Sequence, residues 1–418
     1  MNTCNNSTQL NSTQLNSTQL NSTQLNSTQL NRQNLCQCLH CKNNEYNPLD
    51  YIISKEDFKR LDKERPIGIS GHMRIKNEAM SLAESIDSCI DALDELIITY
   101  NKSSDNTELI LKEYKNKYPN KISLYCYEPY VIPHTSSKEE LDYFESKKMY
   151  YDTNSIHSLA NYYNYGYVKV KYKYYVKIDG DQIYFKDKLL KIREALLSDI
   201  KSYKNFKLIN NLLKLEKIAL FIPLKKLRNK FRTYFIKKLF NKDNNYIFNG
   251  LEKVLNLKDF ILYSKLKHGD NCSFDLGGFN LIFDNYNSLC LNTNCILNGC
   301  YGDHSIFVPN SKKSYYTSES CIENIDPDYN RCITGFAWVH LGDLKRKYKL
   351  GKKVIEAKDI QNISLEDISN YITDNFRNIK GDFLDNYFDV DKKYISEEFY
   401  NTYLKKPIEY SIQNKIDK

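Results

Sequence analysis

Ile67-Gly68-Ile69-Ser70-Gly71-His72-Met73-Arg74-Ile75-Lys76-Asn77-Glu78-Ala79 opens the part of the chain from which the fold can be read. It begins apolar and ends polar. Leu82, Ile86, Ile90 and Leu93 follow at helical spacing. A short apolar strand, Leu96-Ile97-Ile98-Thr99-Tyr100, comes next and ends in the polar turn Asn101-Lys102-Ser103-Ser104-Asp105. Leu109, Ile110, Leu111 and Tyr114 mark a second amphipathic helix, and Ile122 to Tyr127 a third strand. Strand, helix, strand, helix, strand predicts a parallel α/β sheet. Ligands of such sheets bind outside the carboxyl ends of the strands. Both His72 to Glu78 and Asn101 to Asp105 fall at such ends.

A third polar cluster joins them. A β-branched and aromatic stretch that starts near Tyr167 runs into Val176-Lys177-Ile178-Asp179-Gly180-Asp181. A strand is expected to carry the two acids to the sheet edge, where Gly180 lets the chain turn. Two close carboxylates repel unless a cation lies between them. A hard divalent ion takes oxygen ligands of this kind and keeps waters or substrate phosphates as the rest of its shell. The run therefore reads as a seat for a metal–diphosphate; the alternative is an acidic turn after a strand.

Arg74-Ile75-Lys76-Asn77-Glu78-Ala79, Tyr100-Asn101-Lys102-Ser103-Ser104-Asp105 and Lys177-Ile178-Asp179-Gly180-Asp181 together resemble the nucleotide-binding half of a GT-A glycosyltransferase. The likeness is greatest to the bacterial β-1,4-N-acetylgalactosaminyltransferases of lipooligosaccharide biosynthesis, over about residues 66 to 190. It implies a Rossmann-like, mostly parallel sheet flanked by helices. It also implies Mn²⁺ or Mg²⁺ on Asp181 and Asp179, with Asp179 also bonding ribose, and a UDP-sugar as donor. By the same resemblance Arg74, Glu78, Asn101, Asp105 and Lys177 contact the nucleotide, and His72 joins them through its place in the polar cluster at the strand end. The wider fold family usually has an aspartate where this chain has Asn101, and an amide can still bond a uracil edge. Other readings stand beside these. Glu78 in a first helical turn is stabilised by the helix dipole, Asn101 can shape its turn, and Arg74 and Lys177 can be solvated surface residues.

An inverting transfer needs a base beside the acceptor hydroxyl. Asp303, in Gly302-Asp303-His304, is the first candidate and His304 the second; the competing role for Asp303 is a helix cap. Asp275-Leu276-Gly277-Gly278-Phe279-Asn280 reads as lining the donor-sugar or acceptor pocket, its two glycines allowing close backbone approach; the alternative is an ordinary turn. His340, beside the only tryptophan, Trp338, is the candidate third metal ligand by analogy with the late histidine of many GT-A enzymes. A core histidine is the alternative.

The chain has 418 residues, with 60 Lys and Arg against 52 Asp and Glu, so its net charge of +8 is mild. Placement matters more. Lys225, Lys226, Arg228, Lys230, Arg232, Lys237 and Lys238 interleave with Leu224, Leu227, Phe231, Phe235, Ile236 and Leu239. Such a segment, 217–240, suits the surface of an anionic bilayer better than a nucleic acid. No apolar run approaches the ~20 residues that span a membrane, and the polar start is no secretory signal. The expectation is a cytoplasmic enzyme peripherally associated with the inner face of a bacterial membrane, acting on a glycolipid or polysaccharide acceptor, with no nucleic acid as partner. Twelve cysteines make no zinc pattern by spacing alone. Cys36, Cys38, His40 and Cys41 cluster, but no second pair follows at a usual interval.

Asn-Ser-Thr-Gln-Leu repeats in tandem from Asn6 to Leu30. The unit is too short and polar for a solenoid and reads as disordered. The nucleotide unit AACTC, read through three frames, encodes this pentapeptide. Slipped copying of such a repeat would switch the gene on and off, and sequencing the locus from several isolates tests this: codons without that period end the idea. The expected organisation is a repeat and cysteine-rich tail over 1–45, a GT-A domain over 46–345 and a helical region over 346–418. The expected activity is transfer of N-acetylgalactosamine, or else galactose or N-acetylglucosamine, to lipooligosaccharide or capsule. The alternative is a noncatalytic nucleotide- or glycan-binding protein that keeps the fold.

Overall fold

A computed structural model describes residues 38–43, 46–133, 136–150, 152–240, 255–283, 289–292, 304–317, 323–325, 330–345, 360–362 and 396–416. The amino-terminal repeat, Asp303 and the expected helices around Leu365 to Phe388 lie outside the described residues. The strands are β1 (Ile69–Ile75), β2 (Glu95–Tyr100), β3 (Ile122–Cys126), β4 (Tyr174–Asp179), β5 (Gln182–Tyr184), β6 (Cys272–Phe283), β7 (Leu289–Asn292), β8 (Ser305–Phe307), β9 (Tyr315–Thr317), β10 (Glu323–Ile325), β11 (Asn330–His340) and β12 (Ile360–Asn362). The helices used below are α1 (Leu39–Asn43), α2 (Leu82–Cys89), α3 (Thr107–Lys117), α4 (Leu159–Tyr167), α5 (Lys186–Leu197), α6 (Phe206–Leu220), α7 (Lys225–Phe240), α8 (Leu257–His268) and α9 (Lys405–Ile416).

The main sheet runs β12-β7-β6-β8-β4-β1-β2-β3, with β11 pairing β6 and β5. Its heart, β3-β2-β1-β4, is parallel throughout. β8 then pairs antiparallel with both β4 and β6, so the whole is a mixed sheet built on a parallel core. This is the α/β architecture that the alternating pattern predicts.

Period two explains how the two faces differ. Ile69, Met73 and Ile75 of β1 pack with Leu96 and Ile98 of β2 and with Val176 and Ile178 of β4 under α2, α5 and α8. The opposite face carries Tyr175 and Ile97, packed against a tyrosine-rich layer from α4 that includes Tyr162, Tyr163 and Tyr167. His72, Arg74, Lys177 and Asp179 share the register of that second face. The sheet therefore delivers a cation, a lysine and a carboxylate to one side of its carboxyl edge.

Three sequence expectations are corrected, and with them one alternative reading. The stretch from Tyr167 is not all strand: Tyr167 closes α4, and β4 begins only at Tyr174. Ser158 caps α4 by accepting from the Asn161 N–H, and the helix is buried on every side, so its aromatic residues fit as well as β-branched ones would in a strand. Residues 38–43 are not tail, because Cys38 and Cys41 are buried against the tyrosine layer. The region after 345 contributes a strand, β12, as well as α9. The Asp275–Asn280 segment is not a turn but the middle of β6, where a Cβ at Gly278 would lie 1.9 Å from the Trp338 ring.

His72 illustrates the cost of the second face. It is fully buried, with Nδ1 3.2 Å from the Tyr175 hydroxyl and Nε2 3.0 Å from Thr99 Oγ1. Nucleotide contact is therefore excluded for His72: no part of its ring reaches the edge. Burial, reinforced by Arg74 and Lys177, pushes its pKa down to about 3 from the usual 6.5. The unfolded chain takes up this proton near pH 6.5 and the folded chain does not. Stability is thus full above that pH and is lost as pH falls toward 3, by up to ~1.4 kcal/mol per pH unit. The expected result is that the stability gap between wild type and His72→Asn shrinks by about 2 kcal/mol from pH 7 to pH 5 in urea melts. A gap that stays constant with pH would contradict it.

Candidate active site

The carboxyl ends of β1, β2 and β4 meet as the sequence implied. Arg74 is the register partner of Asp179 on one side and of Thr99 on the other. The Asn101 N–H donates to the Ile75 carbonyl at 3.0 Å. Arg74 stacks on α4, its guanidinium 5.1 Å from the Tyr163 ring centre and 5.8 Å from that of Tyr162. Lys177, nearly buried, places its ammonium 4.9 Å from the same Tyr163 ring. Neither is a solvated surface residue.

The Asp-Gly-Asp turn is held from below by a stripe of hydroxyls. Ser81 Oγ donates to the Gly180 carbonyl at 3.1 Å and Ser85 Oγ to the Asp179 carbonyl at 3.0 Å. Ser88 Oγ accepts the Tyr184 N–H at 3.0 Å. Ser81, Ser85 and Ser88 lie at i, i+4 and i+7, one face of α2 and its lead-in. That spacing was visible in the sequence, but only the fold shows what the stripe holds. At Gly180 a side chain is excluded as well, since a Cβ would lie 2.5 Å from Ile75 Cδ1.

The two carboxylates face different histidines. Asp181, largely buried, has Oδ1 3.2 Å from His340 Nε2, and its backbone oxygen accepts the Leu341 N–H at 2.7 Å. Asp179, with 23% of its side chain exposed, has Oδ2 3.4 Å from His304 Nε2. Burial alone would raise the Asp179 pKa, but Lys177, His304, Arg74 and His340 outweigh it and hold this carboxyl well below the usual range. It stays ionised at any ordinary pH.

Each histidine is itself positioned. His340 Nδ1 lies 3.1 Å from Asn280 Oδ1, which can accept the ring proton and so let Nε2 act as a ligand to an ion beside Asp181. His304 Nε2 is 2.8 Å from Gln182 Nε2, and Tyr184 orients that amide by donating to Gln182 Oε1 at 2.6 Å. The His304 ring also meets Trp338 edge-on at 5.3 Å. At 6% exposure, and with Nε2 accepting a hydrogen bond from the Gln182 amide, His304 is held inside this network rather than facing the cleft as a base.

The residues fit a divalent ion at Asp181 and His340. Two ligands at right angles, each ~2.1 Å from an octahedral ion, are about 3 Å apart, close to the 3.2 Å between Asp181 and His340. A cradle for this pair is cut by Gly342, whose Cβ would lie 2.5 Å from Asp181 Oδ2 and 2.6 Å from His340 Nε2. An Asn280 hydrogen bond behind the metal-facing histidine is the arrangement common at such ligands.

Other expected contacts turn inward. Asp105 accepts from the Thr107 and Ala79 N–H groups at 3.0 and 3.1 Å, and Asn77 Oδ1 accepts the Ser104 N–H at 2.8 Å. These bonds staple the loop after β1 to the loop after β2, so Asp105 shapes the rim rather than reaching over it. The side-chain amide of Asn101 donates to the Tyr127 and Pro129 carbonyls at 2.6 and 3.4 Å. A carboxylate in its place would face those two oxygens, which accounts for an amide where the wider fold family has an acid. Asp275 is buried, bonding the Ser305 hydroxyl at 2.6 Å and pairing with Arg331. Glu78 is half-buried at the start of the loop stapled by Thr107, which accepts its N–H at 2.8 Å.

Residues 49–210 match the family described as β-1,4-N-acetylgalactosaminyltransferase (CgtA). The match covers well under half of the chain, and takes in Arg74, Asn101, Lys177, Asp179 and Asp181 but neither His304 nor His340. No curated protein matches the chain. Among solved structures, the chain is similar to glucosyl-3-phosphoglycerate synthase from Mycobacterium tuberculosis in complex with Mn²⁺, UDP and phosphoglyceric acid. Identity there is 18%, over 31% of this chain and 38% of that one, with a TM-score of 0.18. The same enzyme with Mn²⁺, UDP-glucose and phosphoglyceric acid gives 16% identity over 41% of this chain and 57% of that one, with a TM-score of 0.21. Less than two thirds of either solved chain is covered.

Proposed function

We propose that this chain is a metal-dependent glycosyltransferase that moves a sugar from a UDP-sugar to a glycan acceptor. The carrying observation is the pairing of Asp181 with His340 at the sheet edge, in a cradle that admits no side chain at position 342. Asp181 and His340 would hold Mn²⁺ or Mg²⁺, which would supply positive charge to neutralise a departing nucleotide diphosphate. Asp179, kept ionised by the cations around it, accepts hydrogen bonds from ribose hydroxyls. Arg74 and Lys177 supply positive charge on the same face, and Asn101 keeps its carbonyl for a base N–H. Asp303 serves as the base that takes the acceptor proton in an inverting reaction.

N-acetylgalactosamine is the favoured sugar, because the family match covers the nucleotide-binding strands; galactose and N-acetylglucosamine are the other candidates. The acceptor is lipooligosaccharide or capsule. Among the described residues no helix is long and apolar enough to cross a membrane. An exposed apolar knuckle nevertheless joins α6 to α7: Phe221 is 88% exposed, with Leu220, Leu224 and Leu227 beside it and Lys225, Lys226 and Lys230 around it. This supports docking on the inner face of an anionic membrane through the turn rather than through a helix face. Sedimentation with anionic vesicles tests it, and a Phe221→Ser, Leu224→Ser variant that still sediments refutes it.

The function is tested by a mass-spectrometric screen of UDP-sugars with Mn²⁺ against truncated lipooligosaccharide acceptors. One donor is expected to give a product larger by one sugar, and EDTA to abolish its formation. Turnover undiminished by EDTA overturns the metal role. UDP binding without turnover of any donor favours the noncatalytic alternative.

A further inference from the structure

The amino-terminal helix carries a group that sugar transfer does not use. Cys38 and Cys41, spaced Cys-Leu-His-Cys, are both buried, at 1% and 5% exposure. Their sulfurs lie 3.4 and 3.1 Å from the same atom, His157 Nε2. His157 is fully buried and stands 116 residues from Cys41 in the chain, just ahead of α4. Its Nδ1 is 2.6 Å from the Tyr130 carbonyl, which accepts the ring proton and leaves Nε2 with a lone pair aimed at the sulfurs. The Cys41 N–H donates to Cys38 Sγ at 3.3 Å, and the Tyr46 hydroxyl is 3.4 Å from Cys41 Sγ. Among the described residues, these three are the group whose ligand atoms all fall within 4.8 Å of one another.

We propose that Cys38, Cys41 and His157 bind a zinc ion that clamps the amino-terminal segment onto the back of the nucleotide-binding layer. Two soft thiolates and an imidazole are a zinc donor set. Zn–S of ~2.3 Å and Zn–N of ~2.0 Å at a tetrahedral angle place sulfur and nitrogen about 3.5 Å apart. The observed separations, 3.1 and 3.4 Å, need open by only a few tenths of an ångström. The Tyr130 carbonyl behind the ring is the outer partner that metal-ligating histidines use. The Cys-x-x-Cys spacing supplies one pair of ligands, and the fold brings the third from a distant loop. The clamp has a structural purpose. It joins α1 to the start of α4, the helix whose Tyr162 and Tyr163 support Arg74 and Lys177 from behind.

The test uses the full-length chain, purified under reducing conditions and dialysed against a weak chelator. One tightly held zinc per chain is expected by elemental analysis. Cobalt(II) added to the metal-free protein is expected to give tetrahedral absorption with a thiolate charge-transfer band. The carboxylate site at Asp181 cannot produce that band, so this result stands or falls apart from the transferase reading. The band also counts thiolates, and two are expected, with a water completing the shell. Cys41→Ser and His157→Gln are expected to weaken zinc binding at least tenfold. Should either variant fail to fold, wild type alone decides. A folded wild-type protein with no zinc, no thiolate–cobalt band and two freely reactive thiols overturns the proposal. So does a Cys38–Cys41 disulfide in the reduced preparation.

Discussion

Asp181→Ala is expected to lower sugar transfer about a thousandfold, the scale set by removing a group that stabilises transition-state charge, while the chain stays folded. The carboxylate is one of the two groups proposed to hold the ion, with its Oδ1 3.2 Å from His340. Alanine leaves the Leu341-to-Asp181 backbone bond intact, because that bond uses the main-chain oxygen. It also leaves Asp179 with its own partners, Lys177, His304 and Arg74. The loss should therefore fall on turnover and on the Mn²⁺ requirement, and not on melting temperature. Initial rates over a Mn²⁺ titration, beside a thermal melt, measure both. Activity within tenfold of wild type would remove Asp181 from the mechanism.

Gly342→Ala is expected to reproduce much of that loss by adding one methyl group. Its Cβ would lie 2.5 Å from Asp181 Oδ2 and 2.6 Å from His340 Nε2, closer than real Cβ contacts come. Both atoms are ends of side chains, so the clash is relieved by swinging carboxylate and ring apart rather than by moving the sheet. Sugar transfer is expected to fall about a hundredfold, with the Mn²⁺ needed for half-maximal rate rising at least tenfold. Stability should change by no more than ~2 kcal/mol, because the clashing atoms are side-chain ends rather than backbone. A variant with normal Mn²⁺ dependence would show that the ion does not sit between Asp181 and His340.

Much of the nucleotide side was legible in the chain because it is built from local periodicity. Alternation in Ile69 to Ile75 and helical spacing through Leu82, Ile86 and Ile90 are backbone rules, and they place Arg74 and Asn101 at strand ends without reference to anything distant. The same rules misled at His72. Period two puts it on the same face as Arg74, but not at the same depth, and full burial leaves it bonded to Tyr175 and Thr99. They misled again at Tyr167, where aromatic residues that favour strands lie on a buried helix, since burial on all sides suits either element.

What the sequence by itself determined is the parallel α/β layer and the delivery of Arg74, Lys177 and Asp179 to one face of its edge, since side-chain alternation follows from the strand backbone. Only the tertiary structure decided which histidine serves which acid. His304 on β8's lead-in and His340 on β11 reach Asp179 and Asp181 through pairings between strands more than a hundred residues apart, which no local period encodes. The thiol pair at Cys38 and Cys41 shows the same division. Its spacing is written in the chain, but its imidazole arrives only when α4 packs on the sheet and brings His157 beside it.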